Sequence, residues 1–355
     1  MWRAVGLRLS VVRGVESKMR TQTKALLFGT MGVLVAALGV FAWQCLRPHT
    51  PTPVFKGKPV TFWVRSLGDG SMDTFDAQRS WASFGPDAVP YLAKALVLRN
   101  SPADKVYIVL WPHLPAIVRK RLRRPVVALS VRQNAASVLS FWSEGRRLAV
   151  PALVSALKDE DWTVRQNVAG ALYSVGKEHP EVVPALMSML HDEHAEVRRN
   201  AASSLGCFGP SANGAIPALL RALQDPDALV RVASAHALIL IEPATAAKAG
   251  VLPLLLNSLT NTNRYVRANA ALTLSDARNE SGTVVLALAE SLEHDADPFI
   301  RHTAAEALYR VGTPAQAAVP ALLAALSDEN ADVRKWAARA LTKIDPKAAA
   351  NAGVK

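Results

Sequence analysis

The chain has 355 residues, of which 50% are apolar and 6% aromatic, with a formal net charge of +12 and two cysteines. That length allows two ordinary domains or one elongated array with a continuous core, and Cys45 and Cys207 alone exclude a disulfide framework or a cysteine-only metal site. The charge is concentrated: residues 1–47 carry net +6 and residues 99–132 net +7, so the remainder is close to neutral and presents no general surface for phosphate.

In chain order, residues 1–24 form a basic segment, and residues 25–46 run 22 positions without a charge. At ~1.5 Å per residue such a helix spans the ~30 Å hydrocarbon core, which predicts a transmembrane helix. Lys18, Arg20 and Lys24 precede it, so the positive-inside bias predicts a single-pass protein of the cell membrane, its N-terminus cytoplasmic and the rest extracytoplasmic. The alternative is a signal peptide starting at Met19 and cleaved near Val40 and Ala42, leaving a secreted or periplasmic protein. Residues 47–58 form a linker broken by Pro48, Pro51 and Pro53.

The rest repeats itself. The phased arginines Arg165, Arg198, Arg231, Arg267, Arg301 and Arg334 are spaced 33, 33, 36, 34 and 33 residues apart, each in a copy of the same pattern. Each copy reads as two helices. The first opens on Pro151, Pro184, Pro217, Pro253 or Pro320, where a missing N–H costs nothing. A polar turn follows, whose aspartate can cap the second helix. In that helix Val164, Val168, Leu172 and Val175 form one apolar stripe, and a small residue (Ala169, Ala202, Ala271) recurs where neighbours must approach closely. Gly176, Gly209 and Gly312 stand where helices end. One hairpin cannot bury both stripes, so neighbours must stack. Matching segments at 83–90 and 131–139 extend the array upstream. The expectation is an all-α fold: an α-solenoid of about eight helical hairpins over residues 59–346, with an insertion at about 99–125 and a tail at 347–355, preceded by the one transmembrane helix.

This pattern, with proline opening one helix, aspartate six residues before arginine, and Ala-Ala-x-x-Leu in the next helix, resembles the HEAT-like repeats of the phycobilisome-lyase type and of armadillo-like proteins. The resemblance covers about four fifths of the chain and implies an architecture rather than an activity. It implies a structural ladder of Asp159 with Arg165, Asp192 with Arg198, Asp225 with Arg231, Asp295 with Arg301 and Asp328 with Arg334, which Asn261 interrupts before Arg267.

The chemistry found in relatives of this repeat type is not written here. HEAT-type deoxyhypusine hydroxylases hold iron through His-Glu pairs, and no His-Glu dipeptide occurs in this sequence. A chromophore-lyase-like or other repeat enzyme remains as the alternative on fold resemblance alone. His191 and His194 flank Asp192, while His294 and His302 lie three repeats on, ~30 Å away at about 10 Å per stacked pair, so they predict solvated turn histidines rather than a shared metal site. No P-loop, G-x-S-x-G or G-x-G-x-x-G is present. No catalytic residue, cofactor, metal or small-molecule substrate is predicted.

Two features point to partners. The position two residues after each phased arginine reads Asn134, Asn167, Asn200, Ala233, Asn269, Thr303, Trp336, and is expected to face the groove of the solenoid. Asparagine is a poor helix-interior residue, so its recurrence predicts either a ladder holding an extended peptide backbone or bonds that fix one repeat to the next. Gln133, Gln166, Arg199, His302 and Lys335 would complete that surface, with Trp336 as a terminal anchor. The insertion interleaves Tyr107 and Trp111 with Arg119, Lys120, Arg121, Arg123 and Arg124, which reads as a capping helix pair, a contact for anionic lipid, or, least favoured, one for nucleic acid. The functional expectation is a non-enzymatic, membrane-tethered scaffold for a protein or peptide partner.

Overall fold

The computed structural model describes residues 53–354 apart from 73, 175–178, 180 and 278–281. The predicted membrane segment at 25–46 therefore lies outside the described residues, as do Cys45, Val175 and Gly176. Among the described residues no helix is long and apolar enough to cross a membrane. The chain runs through β1 (Val54–Phe55), β2 (Lys58–Pro59), α1 (Val60–Ser66), α2 (Thr74–Ala82), α3 (Val89–Ala95), α4 (Pro102–Leu110), α5 (Ala116–Arg119), α6 (Ala128–Phe141) and α7 (Ser143–Leu148). It continues as α8 (Val150–Ala156), α9 (Trp162–Ala171), α10 (Val182–Met189), α11 (Ala195–Cys207), α12 (Ile216–Ala222), α13 (Ala228–Ile241) and α14 (Pro243–Lys248). The last helices are α15 (Val251–Ser258), α16 (Arg264–Asp276), α17 (Gly282–His294), α18 (Pro298–Val311), α19 (Val319–Ala325), α20 (Ala331–Ile344) and α21 (Pro346–Asn351). The described residues divide into one compact unit of 53–77 with 97–134 and another of 78–96 with 135–354.

The first unit is not purely helical. The strands β1 and β2 pair antiparallel, Val54 opposite Pro59, across a turn at Lys56 and Gly57 that both take positive φ. The Trp63 indole donates to the Phe55 carbonyl at 3.0 Å and ties this hairpin to α1. The insertion is closed at its base by Asn100, whose amide donates to Val126 O at 2.8 Å and accepts from Ala128 N at 2.8 Å. Its first helix, α4, starts from a capping box in which Ser101 and Asp104 each satisfy the other's backbone N–H.

In the second unit the helices form consecutive pairs, α8 with α9, α10 with α11, α12 with α13, α15 with α16, α17 with α18 and α19 with α20. Each second helix also packs on the second helix of the next pair. The apolar stripe explains this order: Val164, Val168 and Leu172 are fully buried, as are Val197, Ala201 and Leu205 in the following repeat. Small residues set the spacing. A Cβ on Gly206 would stand 2.9 Å from the Cα of Ala237, so α11 and α13 meet at a distance only glycine permits. Asp161, Asp227, Asn263, Asp297 and Asn330 cap their second helices by accepting from backbone N–H groups, as the turns predict. Gly209 and Gly312 end α11 and α18 with positive φ, where a Cβ would be strained.

Candidate binding face of the repeats

The arginine and aspartate register forms a ladder, but its rungs cross between repeats. Arg165 donates Nε and Nη2 to both oxygens of Asp192 at 2.7 and 2.9 Å, while its Nη1 reaches the Asp159 carbonyl at 2.9 Å. The same fork joins Arg198 to Asp225, Arg267 to Asp295 and Arg301 to Asp328. The resemblance paired each arginine with the carboxylate six residues earlier in its own repeat. The structure corrects this, because each of those aspartates offers the arginine its backbone carbonyl, while Asp192, Asp225, Asp295 and Asp328 turn their carboxylates to the arginine of the repeat before. Burial alone would raise Asp192 and Asp225, yet the arginine fork, a backbone N–H and Coulomb attraction together hold both below the usual carboxylate range. For Asp328 the Arg301 fork is the leading cause of the same lowering. One rung is missing. Asn261 keeps the turn by accepting from Asn263 N, and Arg231 bonds only the carbonyls of Asp225 and Pro226 among the described residues. Arg334 likewise reaches only the carbonyls of Asp328 and Glu329.

The asparagine register splits. Asn134 donates to Leu67 O at 2.7 Å, Asn200 to Gln166 O of the preceding repeat at 3.2 Å, and Asn269 to Tyr265 O of its own helix at 2.7 Å. Asn167 has no hydrogen-bond partner among the described residues and lines a cleft. Thr303 departs from the expectation of a groove-facing residue: it is 3% exposed and its hydroxyl donates to Phe299 O at 2.7 Å. The other residues at this register position are more open.

The cleft lies on the second-helix face of α6, α9 and α11. It has a volume of about 470 Å³ and is lined by Ser137, Ser140, Gln166, Asn167 and Asn200, with Phe141 and Tyr173 at its rim. Both rim aromatics are exposed, Phe141 to 74%. A row of amide and hydroxyl groups that donate and accept, bordered by exposed rings, suits an extended backbone better than a charged ligand. Sequence reasoning found the amides and missed Phe141 and Tyr173, which lie at helix ends where the apolar stripe runs out.

A second depression, of about 710 Å³, is lined by Tyr309, Trp336, Arg339, Thr342 and Lys343. The Arg339 guanidinium lies 5.1 Å from the Trp336 ring centre and the Lys343 ammonium 4.5 Å from that of Tyr309. Trp336 is half-buried, its ring held among those of Tyr309 and His302. In the first unit Arg119, Lys120, Arg121, Arg123 and Arg124 are all exposed.

Of the predicted turn histidines, His191 and His294 are exposed. His194 is not simply solvated: its ring stacks on Trp162 at 5.1 Å and 8°, beside Arg165. Among the described residues no group of histidine, cysteine, aspartate and glutamate could hold a metal ion.

Models of HEAT repeats match residues 128–206, 183–275 and 285–352, more than half of the chain. The chain belongs to the HEAT-repeat family. Among solved structures it is similar to a mutant of Kap121p, with 14% identity and a TM-score of 0.52 over 80% of this chain and 33% of that one, a likeness of fold alone. Two engineered proteins from the Northeast Structural Genomics Consortium also match. One has 21% identity over 83% of this chain and 92% of its own, with a TM-score of 0.39, and the other 22% over 55% and 97%, with 0.40. No curated protein matches the chain.

Proposed function

We propose that this HEAT-repeat chain is a non-enzymatic scaffold of the phycobilisome-lyase repeat type, tethered through residues 25–46, that holds an extended polypeptide along the second-helix face. The observation that carries this reading is the cleft between α6, α9 and α11, where the Asn167 amide is unspent and the Phe141 ring is open to solvent. A partner's backbone would bond the amides, and its side chains would lie against Phe141 and Tyr173. The test is in-cell photocross-linking of the full chain. A photoreactive residue at Asn167 should trap a discrete partner, and one at the exposed Arg221 on α12 should not. Equal adducts at both positions would sink the reading. For the alternative of a lyase-like enzyme, a pigment absorption band or stoichiometric metal in the purified full chain would overturn the non-enzymatic assignment.

A further inference from the structure

We propose that the insertion of the first unit is an interfacial docking surface for anionic phospholipid, with Arg119, Lys120, Arg121, Arg123 and Arg124 engaging headgroups and Val106, Val109 and Ile117 entering the acyl boundary. The inference goes beyond the scaffold reading and does not need residues 25–46 to be an anchor.

The five cations are exposed, and none forms an ion pair among the described residues. Their backbone is held rather than loose. The Tyr107 hydroxyl donates to Arg123 O, the Arg65 guanidinium donates to Arg124 O, and Lys120 N bonds Ala116 O at 3.1 Å. The backbone polar groups are thereby occupied, leaving the cationic side chains as the free elements of the segment. Positive charge is crowded here: burial lowers the pKa of Arg65, and the nearby Arg123 adds to that lowering while Asp69 opposes it.

The same insertion carries three branched apolar side chains that the fold does not cover. Val106 is 51% exposed, Val109 67% and Ile117 70%. Val106 and Val109 are three apart on α4, so they share a face. The capping reading of the insertion needs those residues buried, and among its apolar side chains Tyr107 and Leu114 are the ones that are. Exposed branched apolar side chains and unpaired cations within one short insertion match the membrane interface, where hydrocarbon and anionic headgroups lie within ~10 Å of each other. Single-stranded nucleic acid fits less well, because it needs open rings for base stacking. Tyr107 is buried and packs edge-on against the half-buried Trp111 at 5.7 Å. The uncharged run at 25–46 ends seven residues before the first described residue of this unit. If that run is embedded, extended chain places the start of the unit at most about 25 Å from the headgroups.

The experiment uses the full chain with Cys45→Ser and Cys207→Ser, carrying an environment-sensitive fluorophore on Ile117→Cys or, as control, on Leu323→Cys. With vesicles of about one-third phosphatidylglycerol in phosphatidylcholine, the probe at 117 should shift to the blue and be quenched by spin-labelled acyl chains, and the probe at 323 should not. About 0.5 M salt should reverse the effect. Replacing all five cations by glutamate should lower this quenching about tenfold or more. Val106→Ser with Val109→Ser, which keeps every charge, should weaken it and keep its salt dependence, so the outcome does not rest on one variant's folding. Equal quenching in pure phosphatidylcholine, or no change on charge reversal, would overturn the proposal. So would a response to single-stranded RNA or polyglutamate without one to vesicles. Tethering through 25–46 is read separately, as flotation of the chain with uncharged vesicles.

Discussion

An asparagine inside a helix competes with the backbone for hydrogen bonds, and the chain resolves that competition differently at each position of one register. At Asn200 the amide bonds the carbonyl of Gln166 in the repeat before, and at Asn269 it bonds back within its own helix. These are stacking and local roles. At Asn167 neither occurs, and the amide faces the cleft. Asn167→Ala should therefore leave the melting temperature unchanged and lower recovery of the cross-linked partner several-fold. Asn200→Ala should cost about 1 kcal/mol of stability, the usual net worth of one hydrogen bond, measurable by denaturant titration. If Asn167→Ala destabilises and leaves recovery intact, the assignments are reversed. A second residue-scale test is Gly206. The missing Cβ lets α11 approach Ala237, so Gly206→Val should cost about 1–3 kcal/mol through overpacking.

At the scale of the hairpin, the Arg–Asp fork is the most regular connection between one repeat and the next. Its side chains are largely shielded, with Asp192 6% and Asp225 8% exposed. The folded-state pKa of Asp192, Asp225 and Asp328 lies below the ordinary value, so the unfolded chain binds protons more readily than the folded one. Their contribution is complete above the unfolded pKa of about 3.9 and is lost as pH falls from there through the lowered native values. The melting temperature should accordingly be level from neutral pH down to about 5 on this account, then decline below about 4. Asp192→Asn should remove part of that decline and cost about 2 kcal/mol at neutral pH, the scale of charge-assisted hydrogen bonds. The missing rung gives the reverse test. Asn261→Asp should supply Arg231 with a carboxylate and stabilise the chain by about 1 kcal/mol, seen as a higher melting temperature. No change would mean that the longer 36-residue spacing between Arg231 and Arg267 holds the two groups apart.

For the whole molecule, stability in a repeat array is close to a sum over neighbouring pairs, so the weakest interface sets where it opens first. Hydrogen exchange should show the lowest protection at the α13 to α16 junction, which has the incomplete rung, and Asn261→Asp should raise protection there. The formal charge of +12 is a second property that only makes sense by location. Its two concentrations, before the apolar run at 25–46 and in the insertion, leave the repeats near neutral. If 25–46 orients by its flanking cations, a reporter enzyme fused at Lys355 should be active only outside the cytoplasm. Activity in the cytoplasm would reverse the proposed topology.

The repeats, their helix-opening prolines, their capping turns and their terminal glycines were legible in the sequence because each rests on local chemistry that a period of about 33 residues writes several times over. The asparagine register was legible for the same reason. Which carboxylate each arginine takes was not, since a spacing of six within a repeat and one of 27 between repeats are equally visible along the chain, and only stacking decides between them. The burial of Thr303, the exposure of Phe141 and Tyr173, and the open faces of Val106, Val109 and Ile117 belong to the same class. Sequence determines which side chains a helix carries and at what period. Tertiary packing alone determines which of them meet a neighbour and which are left to meet a partner.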